Sequence, residues 1–172
     1  MPDTNTHILL WAFPIAVSFH VFEEFAFPGG LIQWIQLRKP RRAKGNMYYV
    51  LVNAATIVIG VVIALGASGV ICYDLFLNFV ALMGGNALSH IRASMKSQKY
   101  CPGTVTCVLV LFPLSVVSFW FFVYTGRVDV LSAILNACLG GFVGFYLFSV
   151  DARKIDRCSD TDEKTNNNQD MS

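Results

Sequence analysis

Charge is what this sequence has least of. Only 14% of its 172 residues are Asp, Glu, Lys or Arg, against 55% hydrophobic, and there are just three histidines. With a mean hydropathy of +0.54, a soluble domain of this size could hardly hide so much apolar surface from water, so the setting is a membrane. The formal net charge of +2 implies no nucleic-acid partner. Other absences exclude other chemistries. No glycine-rich phosphate loop opens a helix, and no nucleophile-elbow serine is present. The five cysteines, Cys72, Cys101, Cys107, Cys138 and Cys158, form no C-x-x-C pair, which argues against a zinc knuckle or a disulfide framework. They read as bland, and Cys101, in the loop that follows His90, is the only one weighed as a nucleophile. Residues 1–6 lack Lys and Arg, against a cleavable signal peptide.

What is present is a series of apolar runs. The first spans about His7 to Phe25, with Pro14 freeing the carbonyl of Leu10 and favouring a kink. Phe27-Pro28-Gly29-Gly30 then breaks the helix. Leu31 to Lys39 is amphipathic and too short to cross, so an interfacial helix with Trp34 at headgroup level is expected. Further spans are expected at about Met47 to Ala67, Val70 to Met95, Thr104 to Tyr124 and Val128 to Val150. The fold class is therefore all-α: a polytopic membrane bundle of five transmembrane helices plus one interfacial helix, over residues 1–155. Residues 156–172 are polar and read as a disordered cytoplasmic tail. Gly140-Gly141-x-x-Gly144 is of the small-xxx-small kind, a packing signal first and a homodimer contact second.

Basic residues follow the first run (Arg38 to Lys44), the third (Arg92, Lys96, Lys99) and the fifth (Arg153, Lys154, Arg157), while the turns near Gly66 and Gly126 have almost none. The positive-inside rule then puts the N-terminus outside and the C-terminus in the cytoplasm. With this topology His20, Glu23 and Glu24 end the first span, Asn53 begins the second, and Asn86 and His90 end the third. All six share the cytoplasmic leaflet. Asp74 and Asp129, at the other face, read as isolated and solvated.

His20-x-x-Glu23-Glu24 is the focus. An ionised group near the bilayer centre costs at least about 2.5–3.5 kcal/mol, so such groups face a bundle interior and act there. On a helix at least one carboxylate shares the imidazole's face. In the third span Asn78, Leu82, Asn86 and His90 recur every four residues and form a second polar stripe.

The segment His20-x-x-Glu23-Glu24 with Phe27-Pro28-Gly29-Gly30, together with Asn86-x-x-x-His90, Arg92 and Tyr100-x-Pro102-Gly103-x-x-Thr106, resembles the HXXEE-domain membrane proteins over about residues 8 to 150. The resemblance implies an integral-membrane protein and a site, without naming a reaction.

The chemistry is argued from side chains. His20, His90, Glu23 and Glu24 are a ligand set that suits zinc or iron, with a carboxylate left as base and Asn53, Asn86 and Arg92 in support. A metal-free reading has the paired carboxylates divide acid and base roles, as in a membrane isomerase. Either would act on a lipid-like or amphiphilic substrate entering from the inner leaflet. Two non-enzymatic readings compete: a buried polar network that fixes helix register, and a small cation or proton transporter.

Overall fold

The computed structural model describes residues 3–26, 30–38, 46–67 and 73–146, and all its regular elements are helical. They are α1 (Thr4–Ala26), α2 (Gly30–Arg38), α3 (Asn46–Ala67), α4 (Tyr73–Ser97), α5 (Thr104–Tyr124) and α6 (Val130–Tyr146). α1, α3 and α5 are each long and apolar enough to cross a membrane. α4 has the length but carries more polar residues, and α6 is a shorter apolar helix. The Phe27-Pro28-Gly29 break, the basic run after Arg38, the turn at Ser68-Gly69, Cys72, Cys158 and the C-terminal tail lie outside the described residues.

The inside-out pattern fits a bilayer. In α1, Leu10, Phe13, Val17, His20 and Glu24 are buried at spacings of three and four, while Ile8, Ile15, Phe19 and Phe22 are each more than half exposed on the opposite side. That is one helical face turned inward and an apolar face turned outward, where a soluble protein would place charge. The interior is a cluster of Leu10, Phe13, Phe76, Leu77, Val80, Leu111 and Phe122, with Phe13 meeting Phe76 edge-on at 6.0 Å between centroids.

α1 starts earlier than the apolar run alone suggests, because Asp3 caps it. Asp3 Oδ1 accepts from the Thr6 backbone N–H at 2.9 Å and its hydroxyl at 2.6 Å. Asp3 also pairs with Arg127 at 2.9 Å, tying the start of α1 to the turn after α5. At the same end Asn136 donates to Asp74 at 2.9 Å and Asn78 to Asn136 at 3.4 Å. The expectation that Asp74 stands alone is therefore corrected: α4 and α6 pair their polar groups there. Asp129 is exposed and caps the first turn of α6 through the Ser132 N–H at 3.0 Å.

The glycine patch of α6 is spent inside the chain. A Cβ on Gly140 would stand 2.3 Å from the Asn78 carbonyl oxygen, and one on Gly144 2.0 Å from that of Leu82. Only glycine allows the two backbones to come so close.

α5 widens just inside its start. Cys107–Leu111 forms a π-helical turn, and the Phe112 N–H bonds the Cys107 carbonyl five residues back. Pro113 follows and has no N–H to offer, so a regular ladder would leave Leu109 unpaired at this point. The site end of the bundle is built where α1 and α4 finish and α3 and α5 begin.

Candidate functional site

Glu24 occupies the centre. Its Oε1 lies 3.3 Å from His20 Nε2 one turn back on α1, and 3.1 Å from His90 Nε2 on α4. Its Oε2 accepts from the Asn53 amide of α3 at 3.0 Å. The imidazole rings meet edge to face with centroids 5.1 Å apart. His20, Glu24, Asn86 and His90 are all buried, and Asn53 is half-buried at the α1/α3 seam.

Glu23 has a different task. It accepts from the Gly103 and Val105 backbone N–H groups at 3.1 Å each, from the Thr106 N–H at 2.7 Å, and from the Tyr100 hydroxyl. Those N–H groups open α5 and have no helical partners, and the helix dipole favours an anion beside them. The two adjacent glutamates of one motif therefore face different elements. One joins two histidines; the other caps a helix that begins some eighty residues later.

The segment between α4 and α5 covers the cluster. Gly103 has φ +93°, a region that favours glycine, and a Cβ there would fall 2.7 Å from His20 Cε1 and 3.1 Å from His90 Cε1. The Cys101 N–H bonds Ser94 Oγ at 3.0 Å, and Ser94 Oγ meets Thr104 Oγ1 at 2.8 Å. Burial and the bond to Glu23 push the Tyr100 phenol pKa above its ordinary value, so it stays a donor at neutral pH.

The outer nitrogens of both rings are also engaged. His20 Nδ1 lies 3.0 Å from Thr106 Oγ1 and 3.6 Å from Cys107 Sγ; His90 Nδ1 lies 3.6 Å from Cys101 Sγ. One nitrogen of each imidazole and the Cys107 sulfur lie within 4.8 Å of one another, a grouping of metal-ligand type. Asn86 sets its Nδ2 3.3 Å from His20 Nε2, while its Oδ1 is buried with no hydrogen-bond partner. An orphaned carbonyl in an otherwise paired cluster is costly, about 1–3 kcal/mol, and marks a place for a ligand or water.

Of the residues singled out in the sequence, the structure gathers His20, Glu24, Asn53, Asn86 and His90 around one point. Glu23 is adjacent but committed to α5. Arg92 is turned away, its guanidinium over the Phe145 ring at 5.7 Å. Cys101 and Cys107, which no spacing pattern in the sequence marks as ligands, each touch an imidazole. Thr106 belongs to the site too, and the Tyr-x-Pro-Gly-x-x-Thr segment was the only local sign of it.

A family model described as a protein of unknown function with HXXEE motif matches residues 11–118. The chain belongs to the HXXEE family. The matched region includes His20, Glu23, Glu24, Asn53, Asn86, His90 and the capping segment, and ends within α5, so α6 lies beyond it. No curated protein and no solved structure is significantly similar to the chain.

Proposed function

We propose that this HXXEE protein is an integral-membrane enzyme whose His20, Glu24 and His90 hold a divalent metal, zinc or iron, in the cytoplasmic leaflet, and that it hydrolyses an amphiphilic substrate. The observation that carries this reading is the convergence of two Nε2 atoms on one carboxylate oxygen, at 3.1 and 3.3 Å. Ligands about 2.0–2.1 Å from a tetrahedral zinc stand at similar mutual distances, and His₂Glu is a catalytic donor set. The local charge agrees. Among the described residues no Lys or Arg pairs with Glu23 or Glu24, so a cation between the imidazoles and Glu24 offsets buried negative charge.

The surrounding groups suit that role. A chain from His20 Nδ1–H to Thr106 Oγ1 and on to the Gly103 carbonyl at 3.1 Å leaves Nε2 an acceptor, and the Asn86 amide that now faces it would turn aside for a metal. Cys101 stands in the same position toward His90. Cys107, whose sulfur lies 3.6 Å from His20 Nδ1, makes a different donor set with the two imidazoles, within 4.8 Å of one another. An ion held by His20, Glu24 and His90 would supply Lewis acidity for polarising a substrate carbonyl. This chain's own groups orient the imidazoles, hold Glu24 through Asn53 and close the loop side of the site with the segment over Gly103.

A metal-free reading rests on the same distances taken as hydrogen bonds, with Glu24 moving a proton between the histidines. A transmembrane relay is less well supported, because Val80, Ala81 and Met83, buried and apolar, lie between Asn78 and Asn86 on α4.

Elemental analysis of the detergent-purified protein is the test. About one equivalent of zinc or iron per chain is expected in the wild type, with loss in His20→Ala, His90→Ala and Glu24→Gln. A wild-type protein purified without chelator that holds no metal would turn the reading to acid/base chemistry.

A further inference from the structure

We infer that the ligand of this centre is an uncharged amphiphile whose polar end carries a hydrogen-bond donor, a hydroxyl or an amide N–H, and that it reaches Glu24 from the bilayer along the α1/α3 seam at Asn53. The inference rests on the reading of the His20/Glu24/His90 cluster as a reaction site and adds the class of molecule that it takes.

Access is asymmetric. On the loop side Cys101, Pro102 and Gly103 are buried, and Gly103 packs against both imidazoles. Tyr100 and Ser94 fasten that segment through Glu23 and the Cys101 N–H. On the seam side the covering residue is Asn53, which is half-buried and holds Glu24 Oε2 by its amide nitrogen. Val50 and Leu51, just before it on α3, present exposed apolar surface, the kind of wall that lipid chains wet.

Polarity selects the head. Among the described residues one acceptor in the cluster is left over, the amide carbonyl of Asn86, whose Oδ1 is buried with no partner. It calls for a donor on the ligand. An anionic head gains nothing there. Glu23 and Glu24 together match the charge of one divalent cation, the N–H groups that open α5 are occupied by Glu23, and the Arg92 guanidinium lies over Phe145. A phosphate there would lose its hydration and find no cationic side chain among the described residues, with a carboxylate beside it.

The experiment uses a diazirine-bearing monoacylglycerol as photoprobe on the full chain in uncharged maltoside micelles. Unlabelled monoacylglycerol and lysophosphatidic acid of the same acyl chain serve as competitors, with metal content measured in parallel. Monoacylglycerol should compete at least about tenfold better. The label should map to the α1 and α3 peptides around Glu24 and Asn53. Asn53→Leu and Asn86→Leu should each lower capture, and Glu24→Gln should narrow the preference against phosphate. Equal or stronger competition by lysophosphatidic acid overturns the inference, as does labelling centred on residues 98–103. If discrimination persists in a protein that holds no metal, the metal reading falls and this one stands. Metal without discrimination gives the reverse.

Discussion

Glu24 on α1 and His90 on α4 meet at 3.1 Å through Oε1 and Nε2, while Glu23, the preceding residue, binds the backbone of α5. Neighbouring carboxylates in one motif thus respond to different demands.

Substitution by glutamine separates those demands. Glu24→Gln keeps the shape and removes a buried charge, so the protein should insert and fold while activity falls by about 10²–10⁴-fold or metal is lost. Glu23→Gln should instead lower stability by about 1–3 kcal/mol, because an amide offers one acceptor oxygen to a site with four donors. Thermal unfolding in detergent, beside metal content, distinguishes the two. Equal effects of both variants on stability would count against the division.

The fastening of the loop by Tyr100 is a second target. Tyr100→Phe removes a hydrogen bond to a charged group, a loss of about 1.5–3 kcal/mol in favourable cases. Cys101, now buried, should then react faster with a small maleimide in a variant lacking the other cysteines. An unchanged labelling rate would show that Ser94 and Gly103 hold the segment without the phenol.

Gly103→Ala should be more damaging than its size suggests. The residue has φ +93°, and the added methyl would stand 2.7 Å from the His20 ring. Backbone strain alone costs about 1–3 kcal/mol, and the ring must also move. A loss of thermal stability together with loss of bound metal is expected.

The α6 glycines give an internal contrast. Gly140→Ala and Gly144→Ala would press a methyl into α4 carbonyls, for about 1–3 kcal/mol or more, whereas at Gly141 the nearest atom is the Ala81 carbonyl oxygen at 3.9 Å. Gly141→Ala should fold normally. Similar melting temperatures for all three would argue against the tight α4/α6 contact.

Orientation is tested separately. Reporters fused after Lys44 and after Arg157 should both read cytoplasm, and one at Ser68 the opposite side. An outside signal at Lys44 would remove the inner-leaflet placement of the site.

Much of this was legible in the sequence because it is local. The scarcity of charge points to helices with apolar outer faces, and α1, α3 and α5 are long and apolar enough to cross a membrane. The spacing of Leu10, Phe13, Val17, His20 and Glu24 places the histidine and one glutamate on the buried face by helix geometry alone. Asn86 and His90 lie one turn apart for the same reason, so each half of the cluster is visible in its own helix.

Which glutamate does what could not be drawn. On the helix Glu23 and Glu24 are both near His20, and the choice falls to partners far along the chain: His90 for one, the first N–H groups of α5 for the other. Cys101, Thr106 and Cys107 approach the imidazoles only because the turn at Gly103 folds over the ends of α1 and α4. Arg92, two residues from His90, points the other way because a helix turns about 100° per residue and Phe145 waits on α6. The sequence determined the helices, their apolar outer surfaces and the inward faces, through properties that each segment carries by itself. The tertiary structure alone decided the partners, because a hydrogen bond across eighty residues leaves no period in the chain.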